Sequence, residues 1–217
     1  MGLDEVYRSR FDARERRAKH AIWREIGAYL QRWVDPSTPA LDIAADEGYF
    51  IVNVRASERW ASDARDVSAA LPRDVRFVHS SGLDLRGKVP HRHFGTVFMS
   101  NYLEHLASGD AVVEQLRVAG DLLRDGGRVI VLQPNIRFAG PAYWDFIDHR
   151  VALTERSLAE AGELAGLRTL ALIPRFLPYS TKSWLPSDAR LIRLYLRVPL
   201  AWRFLGGQTL YVAERAS

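Results

Sequence analysis

The fold of this chain is decided by one helix–turn–strand segment, LLRDGGRVIVLQPN, at residues 122–135. An amphipathic helix is predicted over 109–124, because apolar side chains recur there at helical spacing. The DGG turn at 125–127 then ends the helix, since glycine adopts the left-handed conformation at little cost. The β-branched run at 128–135 follows directly and predicts a buried strand. A helix that leads into a buried strand is one step of an alternating α/β fold.

The same alternation extends in both directions from this segment. Strands separated by helices predict a mostly parallel sheet, and the lack of a clear helix before the last run predicts an antiparallel edge. We therefore expect a Rossmann-like α/β fold with a seven-stranded, mostly parallel sheet, an antiparallel last strand and helices on both faces. The predicted strands cover 40–45, 59–64, 75–81, 95–101, 128–135, 168–176 and 208–215. Helices are also expected over 5–34 and after Thr154, which has the capping pattern, and 46–56 is expected to be a turn that leads into a helix.

The length of 217 residues, 47% of them hydrophobic, suits one domain with a full core. We expect a single domain over 1–217. Residues 1–34 would form an N-terminal helical arm, which the prolines at 36 and 39 bring to an end. Residues 177–207 would form an insertion before the last strand.

Composition excludes several classes of protein. The chain has no cysteine, which excludes disulfides, zinc–thiolate sites, iron–sulfur clusters and a thiol nucleophile. The net charge of +4 is modest and the arginines are scattered among acidic residues, so we expect no nucleic-acid partner. The charged N-terminus is unlike a secretory signal, and no run of about 20 apolar residues is present to span a bilayer. A cytoplasmic location is the resulting expectation.

Ligands of open α/β sheets bind outside the carboxyl ends of the strands. Three segments at those ends resemble motifs of the class I S-adenosylmethionine-dependent methyltransferases. LDIAADEGYF at 41–50 is similar to the glycine-rich first motif, and FMSNYLEHL at 98–106 resembles the fourth-strand motif. The segment 122–135 resembles the helix–turn–strand that follows, and the resemblance extends over about residues 20–215 with the same order of elements.

The resemblance implies S-adenosylmethionine as cofactor. Asp42 would end the first strand, and only Gly48 keeps a glycine among the three motif positions. The implied cofactor residues are Asp42, Ala44, Asp46, Gly48, Asp63 for the ribose, Ser81 and Leu83 for the adenine, and Asn101 and Leu103 for the methionine end. Asp46 would oppose the cofactor carboxylate by roughly 1 kcal/mol, yet it would favour the cationic amino and sulfonium groups. Alternatively, Asp46 only caps the next helix.

The acceptor is expected at the loop NIRFAGPAYWDFIDHR, 135–150, which follows the fifth strand. Its aromatic residues offer apolar walls, and Asp145, Asp148 and His149 are the candidate catalytic residues. His149 is the general-base candidate, and Asp145 would orient an acceptor hydroxyl. The alternative is that Asp148 and His149 only hold the loop to the core.

A metal site is the less favoured interpretation of the Glu104-His105 pair. Some relatives place a Glu-x-x-Glu-His pattern here, but this chain has Asn101 at the first position, and an amide oxygen is a weaker ligand. The two alternatives are a metal site of Asn101, Glu104, His105 and His149, and a helix-capping role for the Glu104-His105 pair. We expect no metal.

The predicted insertion mixes leucines with arginines at helical spacing. It has three interpretations: a lid over the substrate pocket, a homodimer interface, or a peripheral membrane contact through 188–205.

The resemblance implies methyl transfer from S-adenosylmethionine to oxygen or nitrogen of a small molecule, for example a sugar or a secondary metabolite. The alternatives are an enzyme of this fold that catalyses a cyclisation or an elimination, and a non-catalytic binding protein.

Overall fold

The computed structural model describes residues 13–179 and 188–216, with side chains from residue 18 onward in the first helix. The first twelve residues of the predicted arm lie outside the described residues. So do residues 180–187 of the predicted insertion.

Within the described residues, seven strands form one sheet in the order β3-β2-β1-β4-β5-β7-β6. The strands are β1 Ala40–Ile43, β2 Arg59–Asp63, β3 Val75–His79, β4 Phe94–Ser100, β5 Leu123–Pro134, β6 Leu167–Leu177 and β7 Gln208–Arg215. Neighbouring strands from β3 to β5 pair in parallel, and β7 lies antiparallel between β5 and β6. This confirms the predicted sheet. The strand order switches between β1 and β4, so a ligand is expected at their carboxyl ends.

Helices cover both faces of the sheet, as predicted. They are α1 Ala13–Leu30, α2 Gly109–Leu122, α3 Ile136–Ala139, α4 Glu155–Leu164, α5 Ala189–Arg197 and α6 Pro199–Leu205. Leu116 of α2 and Leu158 of α4 belong to one buried cluster, and Leu30 of α1 and Trp202 of α6 belong to the other. The sheet therefore separates two apolar cores.

Of the turn and helix predicted over 46–56, the turn is confirmed and the helix is wrong. The chain forms tight turns there, followed by a single 3-10 turn at Ile51–Asn53. Asp46 and Gly48 have positive φ angles, which a right-handed helix excludes. α1 also packs closely on this segment, since a Cβ at Gly27 would lie 2.7 Å from the Asn53 carbonyl oxygen. The segment 46–56 therefore packs against α1 as turns and not as a helix.

The predicted cap at Thr154 is confirmed. Thr154 Oγ1 accepts from the Ser157 amide at 3.2 Å, and Ser157 Oγ accepts from the Thr154 amide at 2.9 Å. The helix then ends before Gly166, whose φ is +79°.

None of the helices in 13–179 and 188–216 combines the length and the apolar character needed to cross a membrane.

Candidate site at the carboxyl edge of the sheet

The turn after β1 has the backbone shape that a glycine-rich motif requires. Ala44, Asp46 and Gly48 have φ angles of +56°, +50° and +71°. For a residue with a Cβ atom, this left-handed conformation costs roughly 1–2 kcal/mol. Such strain persists only where surrounding structure enforces it, and it clusters at functional sites. The turn therefore keeps the motif's shape although two of its glycines are absent.

Asp42 anchors this turn from beneath. Its carboxyl group is buried, and Oδ2 accepts a hydrogen bond from the Ile51 amide at 3.3 Å. Burial raises the pKa of Asp42 well above its usual range, and the nearby carboxylates of Asp63 and Asp46 raise it further. A neutral carboxyl group thus ties the turn to the end of β1.

Asp63 lies almost buried at the end of β2, and the chain's own donors saturate its carboxylate. Oδ1 accepts from the backbone amide of Arg65 at 2.9 Å and from its Nε at 3.2 Å. Oδ2 accepts from the backbone amide of Asp46 at 3.0 Å and from Arg65 Nη2 at 3.3 Å. A carboxylate offers about four acceptor positions. A ribose diol can therefore bind Asp63 only by displacing the Arg65 side chain.

The side chain of Asp46 faces cations and caps no helix. Its Oδ1 accepts from Arg65 Nη2 at 3.1 Å, and Lys19 Nζ of α1 lies 3.5 Å from its Oδ2. Burial opposes the charge of Arg65, but its hydrogen bonds with Asp63 and Asp46 outweigh that effect and raise its pKa. The negative charge of Asp46 is therefore paired with Arg65 and Lys19. We call Asp42, Asp63, Arg65 and the turn Ala44–Gly48 the turn cluster.

The end of β3 forms one wall beside the turn cluster. Ser81 Oγ donates to Asp84 Oδ2 at 2.6 Å, and the partly buried Leu83 packs against the core. Between them, a Cβ at Gly82 would lie 2.7 Å from the hydroxyl of Tyr102. Burial raises the pKa of Tyr102 to about 12, so this phenol stays protonated and acts as a neutral hydrogen-bonding group.

The end of β4 lies at the switch in strand order. Asn101 is exposed with a φ of +46°, and its backbone N–H donates to the Leu132 carbonyl at 2.9 Å. The Leu103 side chain is completely buried in the core. Of the two predicted residues, Asn101 therefore presents its side chain to solvent, and Leu103 supports the segment from inside.

A second group of polar residues lies beyond Asn101, and we call Glu104, His105, Asp148 and His149 the histidine cluster. His105 Nδ1 lies 3.1 Å from the Asp148 carbonyl oxygen and 3.5 Å from its Oδ2. The rings of His105 and His149 are 5.0 Å apart. The structure thus brings two predicted catalytic residues together with the Glu104-His105 pair. Asp145 lies exposed at the end of the 3-10 segment Gly140–Asp145.

Glu104 is the buried acid of this cluster. It is 1% exposed, and no hydrogen bond of normal geometry reaches its Oε2 from the described residues, although the Gln133 amide lies nearby. Burial raises its pKa, which the neighbouring His105 partly offsets. Tyr143 is also buried, with its ring 4.7 Å from that of His149 and its hydroxyl donating to the Val151 carbonyl. The cluster therefore combines a desolvated acid with imidazoles and an aromatic wall.

The ligating atoms of Glu104, His105 and His149 lie within 4.8 Å of one another. Bonds of about 2.1 Å place the ligands of one tetrahedral ion about 3.4 Å apart, so these side chains would have to move closer to hold one. Helix α2 is capped by Ser108 through the Ala111 amide, so the Glu104-His105 pair does not cap it.

Arg65, Lys19 and Tyr102 are residues of the site that the sequence did not predict. Tyr143 lies in the loop 135–150, whose aromatic residues were expected to form apolar walls. Arg65 carries a usable signal, because it follows the predicted ribose acid by two residues at the same strand end. Lys19 carries none, since its contact with Asp46 depends on how α1 packs.

No protein-family model and no curated protein sequence matches the chain. Solved structures do match. A chain from the Haloferax volcanii complex of the Trm112 methyltransferase activator with a methyltransferase superposes with a TM-score of 0.68 at 16% identity, over 95% of both chains. A SAM-dependent methyltransferase from Archaeoglobus fulgidus gives 0.64 at 15% identity, over 88% of this chain and 93% of the other. A geranyl diphosphate methyltransferase in complex with SAM gives 0.61 at 15%, over 89% and 85%.

These structures share the sheet and its helices with this chain at identities of 15–16%. At such identities a superposition shows the fold. The chain therefore has the fold of the class I S-adenosylmethionine-dependent methyltransferases.

Proposed function

We propose that this chain transfers a methyl group from S-adenosylmethionine to an oxygen or nitrogen atom of a small-molecule acceptor. One observation carries the proposal. The turn after β1 holds three alternate residues in the left-handed conformation beside the carboxylate of Asp63 at the switch in strand order. A backbone strained in this way, next to an acid that suits a diol, supports a nucleoside donor at this edge.

The residues of the turn cluster fit such a donor. Ala44 has only a methyl side chain, so little bulk lies above the backbone at that position. Gly48 is buried, and a Cβ there would clash with Leu71 Cδ2, so its glycine serves the packing of the turn. Asp63 would bind the ribose once Arg65 releases its carboxylate, and Arg65 would keep its ion pair with Asp46. Ser81 and Leu83 would meet the adenine, and Asn101 and Leu103 would lie toward the methionine end. When bound, the donor supplies an electrophilic methyl group on a sulfonium.

The histidine cluster would bind the acceptor and remove its proton. Methyl transfer is an in-line displacement and needs alignment above all. An acceptor hydroxyl would also need a base, and we assign that role to His149, which would take the hydroxyl proton as the new bond forms. Asp148 would position the imidazoles through its contact with His105, and the exposed Asp145 would orient the acceptor.

The saturated carboxylate of Asp63 favours a second candidate function. A chain whose ribose acid is occupied by its own arginine would bind the donor weakly. It would then use this fold for a cyclisation or elimination, or for binding without catalysis.

A labelled-methyl assay separates the two. The chain is incubated with S-adenosylmethionine carrying a tritiated methyl group and a pool of small hydroxy and amino compounds. We expect label in a small product and equimolar S-adenosylhomocysteine, with the rate about 100-fold lower in His149→Gln. The control variant Asp74→Asn, an exposed ion-pair partner of Arg59 before β3, should keep the wild-type rate. Donor that binds and is recovered unchanged would favour the second candidate.

Four further expectations belong to this proposal and await tests. They are a single domain over 1–217, a cytoplasmic location, a small-molecule substrate without nucleic acid, and a homodimer through 177–207 as the alternative to a lid or a membrane contact.

A further inference from the structure

We propose that α5 and α6 form a docking surface for an anionic phospholipid bilayer. We call it the α5–α6 surface. It consists of six exposed apolar side chains and of the neighbouring arginines Arg190, Arg193, Arg197 and Arg203. The apolar members are Leu191, Leu194, Val198, Leu200, Phe204 and Leu205.

The apolar side chains are concentrated in one place. Among the described residues, ten large apolar side chains are exposed, and six of these ten lie within 191–205. Phe204 is 72% exposed and Leu200 is 62% exposed. Single exposed leucines are ordinary, but a contiguous group marks an interaction site.

The charge of this segment is mainly positive. Asp188 caps α5, and every charged residue from 189 to 207 is an arginine. Arg193 donates two hydrogen bonds to Glu25 of α1, at 2.7 and 2.8 Å. Within the described residues, Arg190, Arg197 and Arg203 make no ion pair. In this part of the structure the surface therefore carries an excess of positive charge next to its apolar side chains, which complements anionic lipid.

The helical spacing arranges these residues for binding at an interface. On α5, Arg190, Arg193 and Arg197 lie along one side, Leu191 and Leu194 lie on the adjacent side, and Leu196 is buried against the core. A short helix with apolar residues beside a basic face is typical of segments that lie in the headgroup region.

The surface is held to the sheet and is preorganised. Trp202 Nε1 donates to the Tyr195 carbonyl at 2.9 Å, which joins α6 to α5. The Tyr195 hydroxyl donates to the Phe176 carbonyl at 2.8 Å, which joins α5 to β6. Because these bonds hold the helices in place, little conformational entropy would be lost on docking.

A basic cavity lies beside the surface, between α1 and α5. Its volume is about 480 Å³, and its lining includes Arg32, Arg193, Arg197, Glu25 and Trp202. Arg193 is hydrogen-bonded to Glu25, and the guanidinium of Arg32 stacks on Tyr29 at 3.8 Å from the ring centroid, so the lining carries more positive than negative charge. Guanidinium groups bind phosphate through paired hydrogen bonds, so this cavity suits a lipid headgroup.

A second copy of the chain fits the surface less well. In a two-fold dimer the same patch meets itself, so the arginines of the segment would face one another with only Asp188 of each copy as an acid of the segment. The location also favours a membrane. Arg175 donates to the Phe204 carbonyl at 2.8 Å and stacks on Phe138 of α3, 4.7 Å from its centroid, so the surface borders the acceptor loop.

Vesicle sedimentation of the full chain tests the proposal. We expect the chain to bind vesicles that contain phosphatidylglycerol, to bind pure phosphatidylcholine vesicles at least tenfold more weakly, and to lose affinity as salt rises. The variant Leu191→Ser/Leu194→Ser should lower affinity for anionic vesicles at least tenfold, and Arg190→Glu/Arg197→Glu should do the same. Circular dichroism checks that each variant is folded.

Two controls lie on α4, on the opposite face of the sheet. Leu164→Ser removes a leucine that is 64% exposed, and Arg156→Glu reverses an exposed charge. Both should bind as the wild type does. The proposal would be overturned if the chain did not bind vesicles, or if it bound phosphatidylcholine vesicles as well as those that contain phosphatidylglycerol. It would also be overturned if Leu191→Ser/Leu194→Ser bound as the wild type does. A dimer seen by light scattering that only the leucine variant dissociates, without vesicle binding, would assign the surface to a second copy. Docking does not depend on donor binding, so a chain that binds vesicles but no donor would contradict the proposed function alone.

Discussion

The turn cluster and the histidine cluster lie at the same edge of the sheet but differ in how their charges are held. In the turn cluster the carboxylate of Asp63 has four donors, and the charge of Asp46 is paired with Arg65 and Lys19. In the histidine cluster Glu104 is buried and its pKa is raised. In the turn cluster a ligand hydroxyl can replace the Arg65 side chain on Asp63, because both are hydrogen-bond donors. A desolvated acid beside imidazoles suits proton transfer.

The largest effect is expected at the centre of the turn cluster. Asp63→Asn removes the charge that a ribose diol would bind, and hydrogen bonds to charged groups contribute about 1.5–3 kcal/mol each. We therefore expect affinity for S-adenosylmethionine to fall about 10- to 100-fold, measured by equilibrium dialysis. Asp74→Asn removes an exposed carboxylate of the same type and should leave affinity unchanged. Equal affinity in wild type and Asp63→Asn would show that this acid does not contact the donor.

The histidine cluster predicts a dependence of stability on pH. The pKa of Glu104 is raised above its ordinary value of 4.5, so its folded form holds the proton more tightly than the unfolded chain does. Its contribution to stability is therefore full below pH 4.5 and is lost as pH rises through the folded pKa. Glu104→Gln cannot ionise, so it should gain roughly 1 kcal/mol or more over the wild type by pH 8.

Urea unfolding from pH 4 to pH 8 measures this difference. Asp121→Asn, at an exposed carboxylate that pairs with Arg86, provides the comparison and should show no such increase. A constant difference between wild type and Glu104→Gln across this range would contradict the account of the buried acid.

Strain in the turn predicts a smaller effect. Ala44 has a φ of +56°, so Ala44→Gly should stabilise the chain by about 0.5–1 kcal/mol. The neighbouring Ala45 has no positive φ, and Ala45→Gly should destabilise by a similar amount because glycine has the more flexible unfolded chain. If both variants lose stability in thermal unfolding, the turn is not strained at Ala44.

The smallest effect is expected at Arg65, and it tests whether this arginine excludes the donor from Asp63 or holds it. Arg65→Ala frees two acceptor positions on Asp63 and removes a positive charge from the site of a donor that is itself cationic at its sulfonium. We expect affinity for S-adenosylmethionine to rise about threefold, less than 1 kcal/mol, because the arginine is partly exposed. Weaker binding in Arg65→Ala, with unchanged binding in the exposed Arg156→Ala, would show that Arg65 holds the donor instead of excluding it.

Much of the fold could be predicted from the sequence because its signals are local. The alternation of apolar runs gave the seven strands, and β7 was predicted with the bounds that the structure shows, 208–215. The cap at Thr154 depends on two side chains three residues apart. Asp63 could be placed at a strand end because the apolar run before it ends there.

The remaining features depend on contacts that are distant in the sequence. The positive φ angle of Ala44 has no signal in its residue type, because alanine rarely adopts that conformation, whereas aspartate adopts it more often than most residues. The packing of α1 on Ile51–Asn53 excluded the predicted helix, and that packing joins segments more than 20 residues apart. The saturation of Asp63 could not be predicted either, because it depends on the rotamer of Arg65.

Calorimetric titration of the chain with S-adenosylmethionine and with S-adenosylhomocysteine tests the central claim most directly, namely that the turn after β1 holds an adenosyl donor. It is carried out at two temperatures, so that an enthalpy near zero at one of them is not mistaken for a lack of binding. We predict one site per chain, with micromolar affinity for both compounds and competition between them. The absence of heat at both temperatures, together with no competition in dialysis, would contradict the claim.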